Sequence, residues 1–185
     1  FLIAFPEFKY LDRLEKFLPL LKKNILFQFP DIIFSTLLVD EKDNYEYFSH
    51  KYKASNKLKK YLNFIAINYI KFKKEKNYLK KDLKKNVYSL GKNNIIELLC
   101  FIYCADTKFS TKLLNNIFEE INQMNIPDFP FNGQYLIEQG LVDGRKIGYA
   151  LKELEKEWVQ KDFNLNINEV TSIVDKIKKS NILNI

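Results

Sequence analysis

Apolar residues recur at spacings of three and four along almost the whole chain, and alternation of apolar and polar residues is nearly absent. A spacing of three and four places side chains on one face of an α-helix, whereas a half-buried strand needs a period of two. The clearest stripe is Ile147, Leu151, Leu154 and Trp158, which predicts a long helix over Gly144–Gln160. We therefore predict an all-α fold without a β-sheet.

Further helices are predicted from the same spacing and from the positions of capping residues, Pro and Gly. In chain order they are Glu7–Phe17, Asp31–Val39, Asp43–Tyr52, a long helix capped by Ser55, Asn77–Leu90, Asn93–Cys104, Thr107–Met124 and Asn168–Lys179. Pro19 is expected to disturb the end of the first helix, because proline lacks a backbone N–H. Ser55 and Asp31 are candidate N-caps. So many short helices predict an irregular multi-helix bundle.

The composition changes at residues 126–148, which hold two of the five Pro and four of the five Gly. Such residues are typical of a domain junction followed by a tight helix-turn-helix. We therefore predict a helical body at residues 1–125 and a smaller helical tail at residues 126–185. The chain begins at Phe1 without an initiator Met, so we also expect it to be part of a longer protein.

Positive charge is concentrated in one segment. The formal net charge is +7, while Lys51–Lys85 holds 13 Lys against Glu75 and Asp82, which gives that segment a charge of +11. A local excess of this kind favours a polyanionic partner, of which nucleic acid is the commonest. The alternative is a solvated Lys-rich helical face in a Lys-rich composition, and charge alone leaves both interpretations open.

The sequence contains no catalytic or metal-binding pattern. No Gly-rich phosphate loop or dinucleotide-binding pattern occurs, and no Asp-x-Asp pair is present to hold two metal ions. His50 is the only histidine, and its polar neighbours indicate a surface or half-buried structural residue. We therefore predict no catalytic residue, no metal ligand and no cofactor site in this chain.

Cysteine use and hydropathy indicate a cytoplasmic protein. Cys100 and Cys104 share one face of an apolar helix, which is typical of buried free thiols in a reducing compartment. No apolar run reaches the roughly 18 residues that a membrane span needs, and no stretch has the pattern of a signal peptide. We expect no membrane partner.

The stretch Phe129–Trp158 is the most specific part of the sequence. A short helix is expected to begin near Asn132 and to end at a turn at Gly140. A second helix is expected to begin at Asp143-Gly144. These features predict a Gly-rich helix-turn-helix within the tail.

The start of that second helix is a candidate phosphate site. The first turn of a helix has free backbone N–H groups that attract anions, and here these groups belong to Gly144, Arg145 and Lys146. Gly144 and Gly148 allow a close backbone approach. The alternative is that the glycines serve helix packing and that both cations are solvated.

Three segments carry a resemblance to a known family. The first runs from Pro130 to Trp158 through Gly133, Leu136, Gly140, Gly144, Gly148 and Leu151. The second is Asp31–Leu38, and the third is Tyr52–Leu62, with Ser55, Asn56 and Leu58. In this order they resemble the C-terminal region of bacterial class II tRNA nucleotidyltransferases, the CCA-adding enzymes, and of the related poly(A) polymerases.

The resemblance implies a body and a tail that hold the backbone of tRNA or another structured RNA. In these enzymes a separate head with Gly-Ser and Asp-x-Asp motifs does the chemistry, and a neck with Glu-Asp-x-x-Arg reads the nucleotide; this chain has neither set. The resemblance therefore implies that Mg and CTP or ATP bind in the parent's head, and that the head and neck are partners of this chain. An Arg expected in the opening body helix is replaced near Phe34-Ser35.

On this interpretation RNA is recognised by its shape and backbone. The expected RNA-binding residues are Gly144, Arg145, Lys146, Lys73, Lys74, Lys80, Lys81, Lys84 and Lys85. Two alternatives have no link to an enzyme: a helix-hairpin-helix-like module that binds duplex DNA, and a helical protein-interaction domain.

Overall fold

The computed structural model describes residues 4–22, 31–75 and 77–180. The regular elements in these ranges are helices and no strand occurs in them, so the all-α prediction is confirmed. The helices are α1 (Arg13–Lys22), α2 (Asp31–Leu38), α3 (Asn44–Lys51), α4 (Asn56–Lys74), α5 (Tyr78–Lys81), α6 (Leu83–Leu90), α7 (Lys92–Ala105), α8 (Thr111–Gln123), α9 (Gly133–Glu138), α10 (Gly144–Gln160) and α11 (Ile167–Lys179).

The chain divides into two compact units, Phe1–Met124 and Asn125–Ile185. In the first unit α7 is central, since it packs against α1, α2, α4, α6 and α8. Its side chains Leu98, Phe101 and Ile102 are fully buried. A helix that is surrounded by others needs apolar residues on nearly all faces, which explains the apolar sequence of α7.

In the second unit α10 packs against α9 and α11. The predicted stripe of α10 faces this core: Leu154 and Trp158 are buried, and Ile147 and Leu151 are half-buried against it. The remaining core residues are Leu136, Leu141, Ala150, Val170, Val174 and Ile177. The predicted bounds of this long helix, Gly144–Gln160, agree with those of α10.

The prediction for the first helix is wrong in its bounds. Residues 7–12 form turns and α1 begins at Arg13, then continues through Pro19 to Lys22. Phe17 and Leu20, on either side of the proline, are buried at 0% and 4% exposure. Their packing offsets a proline cost of roughly 3 kcal/mol.

The turns before α1 are held by α3. Lys51 Nζ donates to Glu7 Oε1 at 2.8 Å, and the Tyr52 hydroxyl just after α3 donates to Glu7 Oε2 at 3.2 Å. Asn44 Nδ2 donates to the Glu7 carbonyl at 3.0 Å. The Asn44 bond occupies the carbonyl that a helix would use for residue 11, and the other two bonds hold the Glu7 carboxylate in place.

The predicted helix Asn77–Leu90 is two helices that break at Asp82. Asn86 Nδ2 donates to the carbonyl of Tyr78 at 3.3 Å. In a continuous helix that carbonyl would accept the N–H of Asp82. Gly91, with φ of +87°, ends the second helix at the expected place.

One of the two predicted N-caps, Ser55, is confirmed, and the other, Asp31, is not. The Ser55 side chain accepts the N–H of Leu58 at 3.2 Å, which confirms this N-cap. Asp31 is the first residue of α2 rather than the residue before it, and residue 30 lies outside the described ranges.

Glu97 of α7 is a buried carboxyl close to the Tyr61 hydroxyl of α4. Glu97 is 6% exposed, and neither its Oε2 nor the nearby hydroxyl of Tyr61 has a hydrogen-bond partner in the described part of the chain. Burial raises the pKa of Glu97, and the charge of Asp31 raises it further, although the Tyr61 hydroxyl opposes both. The ionised form of Glu97 is therefore unfavourable in the fold.

Glu97→Gln is expected to raise the free energy of unfolding by about 1 kcal/mol at neutral pH. Because the folded pKa is raised, the penalty of ionised Glu97 is absent below the ordinary carboxyl pKa and sets in as pH rises through it. Urea unfolding of both proteins at about pH 7 and about pH 4 checks this. The gain in the free energy of unfolding should disappear at the lower pH. An equal difference between the two proteins at both pH values would contradict the raised pKa of Glu97.

Candidate nucleic-acid interface

The Gly-rich helix-turn-helix forms as a tight corner. The side chain of Asn132 accepts the N–H of Tyr135 at 2.9 Å and begins α9. Gly140 ends this helix with φ of +86°, where a side chain would be strained. The N–H of Leu141 then closes on the carbonyl of Leu136 at 2.9 Å, and both of these leucines are buried. The corner therefore fixes where α10 begins.

The glycines of α10 leave bare backbone on its exposed side. A Cβ added at Gly144 or at Gly148 meets nothing within 4 Å, whereas one at Gly133 meets Ile147 at 3.6 Å. The interpretation that Gly144 and Gly148 serve packing against another described helix is therefore wrong. Since they lie one turn apart, they offer a strip of backbone that a ligand can approach closely.

Fewer backbone N–H groups are free in the first turn of α10 than predicted. The N–H of Arg145 donates to Asp143 Oδ1 at 2.8 Å, so the prediction that it is free is wrong. Among the residues that the structure describes, the N–H groups of Gly144 and Lys146 have no partner. The capping carboxylate also places a negative charge beside this end of the helix, which weakens its attraction for an anion. The exposed Arg145 side chain remains available.

Lys146 is engaged at the end of another helix. Its Nζ donates to the carbonyl of Lys178 at 3.0 Å, in the last turn of α11. A cation in this position satisfies a free carbonyl and interacts favourably with the helix dipole. The Lys146 side chain therefore stabilises the contact between α10 and α11.

The structure places the candidate lysines of the first unit on three helices that follow one another. They are Lys73 and Lys74 in α4, Lys80 and Lys81 in α5, and Lys84 and Lys85 in α6. The Tyr78 hydroxyl donates to Asn68 Oδ1 at 3.0 Å and ties α5 to α4. Leu79 on the apolar face of α5 and Leu83 on that of α6 are buried. We call these three helices the basic segment.

Three of these lysines form ion pairs with the acidic side chains of Glu41, Glu75 and Asp82. Lys73 lies 3.0 Å from Glu41, Lys81 lies 3.8 Å from Glu75, and Lys85 lies 3.9 Å from Asp82. The bond to Glu41 raises the pKa of Lys73. Exposed pairs of this kind contribute about 0–1 kcal/mol, so a phosphate can replace the carboxylates. Lys74 and Lys80 are exposed and have no ion pair in the described ranges.

The tyrosines of α4 belong to the core. Tyr69 is 3% exposed and meets Phe101 edge-on, with ring centroids 5.1 Å apart. Tyr61 is half-buried with an enclosed hydroxyl. The ring of Tyr69 is therefore not available for stacking on a nucleic-acid base.

The remaining reactive side chains form no site. Cys100 and Cys104 are buried free thiols, and burial raises the pKa of both, that of Cys104 to about 12. His50 is exposed on α3. In the described ranges, no cluster of three or more His, Cys, Asp and Glu could hold a metal ion. No helix in these ranges is both long enough and apolar enough for a membrane crossing.

Sequence reasoning missed the acidic side chains that lie against the candidate cations. Asp143 is itself the N-cap of α10, and this role was visible in its position before Gly144. The pairing of Glu41 with Lys73 spans 32 residues and depends on tertiary packing. No pattern among neighbouring residues of the sequence indicates such a contact.

Two known proteins are similar to about a third of this chain. A segment of 62 residues, 34% of the chain, is 26% identical to CCA tRNA nucleotidyltransferase 1, mitochondrial, of Mus musculus. A segment of 60 residues, 32% of the chain, is 28% identical to the protein of the same name of Homo sapiens. Each segment spans 14% of the relative's length. No family model matches the chain, and no solved structure matches it.

Proposed function

We propose that this chain is the helical body and tail of a class II tRNA nucleotidyltransferase and that it holds RNA by the backbone. The observation that carries the proposal is the similarity to two CCA tRNA nucleotidyltransferases, whose name specifies tRNA. The order of the three resembling segments favours the bacterial class II branch. A head and a neck outside this chain would select the nucleotide and add it to the RNA 3' end.

The bare strip on α10 supports contact with the RNA backbone. Phosphate and sugar contacts need close approach but carry no sequence information, as suits an enzyme that serves many tRNAs. Gly144 and Gly148 provide that approach because no side chain stands above them. Arg145, exposed in the same first turn, supplies the charge and two-pronged geometry that phosphate oxygens prefer.

The basic segment supplies attraction over a longer range. Its exposed lysines release condensed counterions from RNA when they neutralise phosphates. The carboxylates that pair with Lys73, Lys81 and Lys85 are exposed, so their exchange for phosphates has a low energetic cost. We therefore assign the basic segment to RNA capture.

The chemistry of the proposed parent protein lies elsewhere. Transfer of a nucleotide by a metal-dependent enzyme needs clustered carboxylates for Mg, and the described residues include no such cluster. We place Mg and CTP or ATP in the head, and we derive no catalytic step from this chain.

Arg145→Ala and Lys146→Ala are expected to act differently. Arg145→Ala should weaken tRNA binding by about 1 kcal/mol and lower the salt slope by about 1, without a change in stability. Lys146→Ala should instead lower the free energy of unfolding by about 0.5–1 kcal/mol, because α11 loses a C-terminal partner. Binding titrations and urea unfolding of both variants separate the two roles.

The matched control for these variants is Lys152→Ala, since Lys152 is exposed later on the same helix. It should change stability by less than about 0.5 kcal/mol. If Arg145→Ala binds labelled tRNA as well as the unchanged protein does, the tail does not contact RNA in the proposed way.

A further inference from the structure

An open cavity of about 430 Å³ lies in the first unit. Its charged lining comes from three separate parts of the chain: Lys9 and Arg13 at the start, Asp40, Glu41 and Lys42 after α2, and Lys73 in α4. Four cations thus share one cavity with two carboxylates. Such an excess of one sign is unfavourable unless an anion offsets it.

Arg13 is the most deeply placed of these cations. It is only 8% exposed, and its Nη1 donates to the carbonyls of Thr36 at 3.3 Å and Val39 at 2.7 Å, at the C-terminal end of α2. Its guanidinium carbon lies 3.8 Å from the centre of the Tyr10 ring. These contacts hold the guanidinium in one orientation, as a binding site requires.

Most of the donors of Arg13 are unused. A guanidinium has five N–H groups, and within the described ranges neither Nε nor Nη2 makes a hydrogen bond. No carboxylate in those ranges lies within ion-pair distance of Arg13. A buried cation without a counterion is costly, and carbonyls and an aromatic face offset only part of that cost.

Neither carboxylate of the cavity pairs with Arg13. Asp40 Oδ1 accepts the backbone N–H of Lys42 at 2.8 Å, within its own loop. Glu41 pairs with Lys73 at 3.0 Å. The side chains of Lys9 and Lys42 are exposed and have no ion pair in the part of the chain that the structure describes. The unmatched charge of the cavity is therefore positive.

We propose that this cavity binds one phosphate group, with the buried Arg13 as a two-pronged donor and the exposed Lys9 and Lys42 as further cations. The planar fork of Arg13 matches two oxygens of a phosphate, and a lysine suits a third as a point charge. The phosphate belongs to an RNA backbone or to a small phosphorylated molecule, since both present the same oxygens. The cavity proposal uses residues of the first unit alone and does not depend on the proposed function.

The test follows the Nε–H resonance of Arg13 in the 185-residue chain while inorganic phosphate is added at constant ionic strength. The resonance is expected to shift with saturation, while chloride at the same ionic strength leaves it in place. A resonance that phosphate moves no more than chloride does would overturn the proposal. Arg13→Lys keeps the charge but removes the fork, and it should abolish the saturable binding measured by calorimetry.

Arg13 also supports the C-terminal end of α2. If Arg13→Lys fails to fold for this reason, a second variant tests phosphate binding in the cavity. The double variant Lys9→Glu with Lys42→Glu changes two exposed side chains and should weaken phosphate binding about tenfold. The matched control is Lys108→Glu with Lys112→Glu, two exposed lysines outside the cavity. Equal phosphate binding by the two double variants would refute the site.

Labelled tRNA then identifies the source of the phosphate. If the occupant is an RNA phosphate, the Lys9 and Lys42 variant loses tRNA affinity relative to the control, and inorganic phosphate competes with tRNA. If the occupant is a small phosphorylated molecule, the variant loses phosphate binding while its tRNA affinity equals that of the control. Either result supports phosphate binding in the cavity. If this chain binds no tRNA, the titration with inorganic phosphate alone decides whether the cavity binds phosphate.

Discussion

Trp158→Ala is expected to lower the free energy of unfolding of the second unit by about 3–5 kcal/mol. Trp158 is 3% exposed and meets Phe129 and Phe163 edge-on, with ring centroids 5.5 and 4.9 Å apart. Removal of the indole leaves a cavity and breaks both aromatic contacts. A unit of this size has a total stability of about 3–9 kcal/mol, so the loss is comparable to the whole.

Urea unfolding followed by far-ultraviolet circular dichroism checks this expectation, because the helix signal is still present after the only tryptophan has been removed. The matched control is Val142→Ala in the same unit, since Val142 is 84% exposed. The control should differ from the unchanged protein by less than about 0.5 kcal/mol. Equal stability of the two variants would contradict the core described for this unit.

Lys74→Glu combined with Lys80→Glu is expected to weaken tRNA binding about 10- to 100-fold at about 0.1 M salt. Both lysines are exposed, and neither has an ion pair in the described ranges, so their charge is available to RNA. The double variant removes two phosphate contacts and adds two repulsive carboxylates. The slope of log affinity against log salt should also fall by about 1.5, since each contact contributes about 0.7–0.9.

Filter binding of labelled tRNA at several salt concentrations measures both quantities. Lys108→Glu with Lys112→Glu carries the same change in net charge outside the basic segment and serves as the control. A similar loss in both double variants would mean that the net charge of the protein, rather than the basic segment, attracts RNA. The assignment of the basic segment to RNA capture would then be wrong.

The parts of the fold that local chemistry controls could be predicted from the sequence. The stripe from Ile147 to Trp158 predicted α10 with its bounds, because its spacing and the Asp143-Gly144 start agree. Gly140 and Gly91 end their helices at the predicted places, and both have a positive φ. In such segments the apolar period, the caps and the turn residues all favour the same structure.

Features that depend on distant contacts could not be predicted. The turns before α1 exist because α3 binds Glu7, and the break at Asp82 accompanies a side-chain bond from Asn86. The environment of the candidate site residues also depends on the folded structure. Gly144 and Gly148 were found by their spacing, but their exposure is a property of the folded unit. Arg13 shares a cavity with Lys42 and Lys73 only after α1, α2 and α4 have packed.

Titration of labelled tRNA that lacks its CCA end, with this chain at low and at moderate salt, tests the central claim most directly. Unlabelled tRNA and duplex DNA serve as competitors. The account predicts salt-sensitive binding that tRNA displaces at a concentration at least about tenfold lower than DNA, because body and tail would hold RNA by its shape. Equal displacement by DNA, or no binding even at low salt, would contradict it.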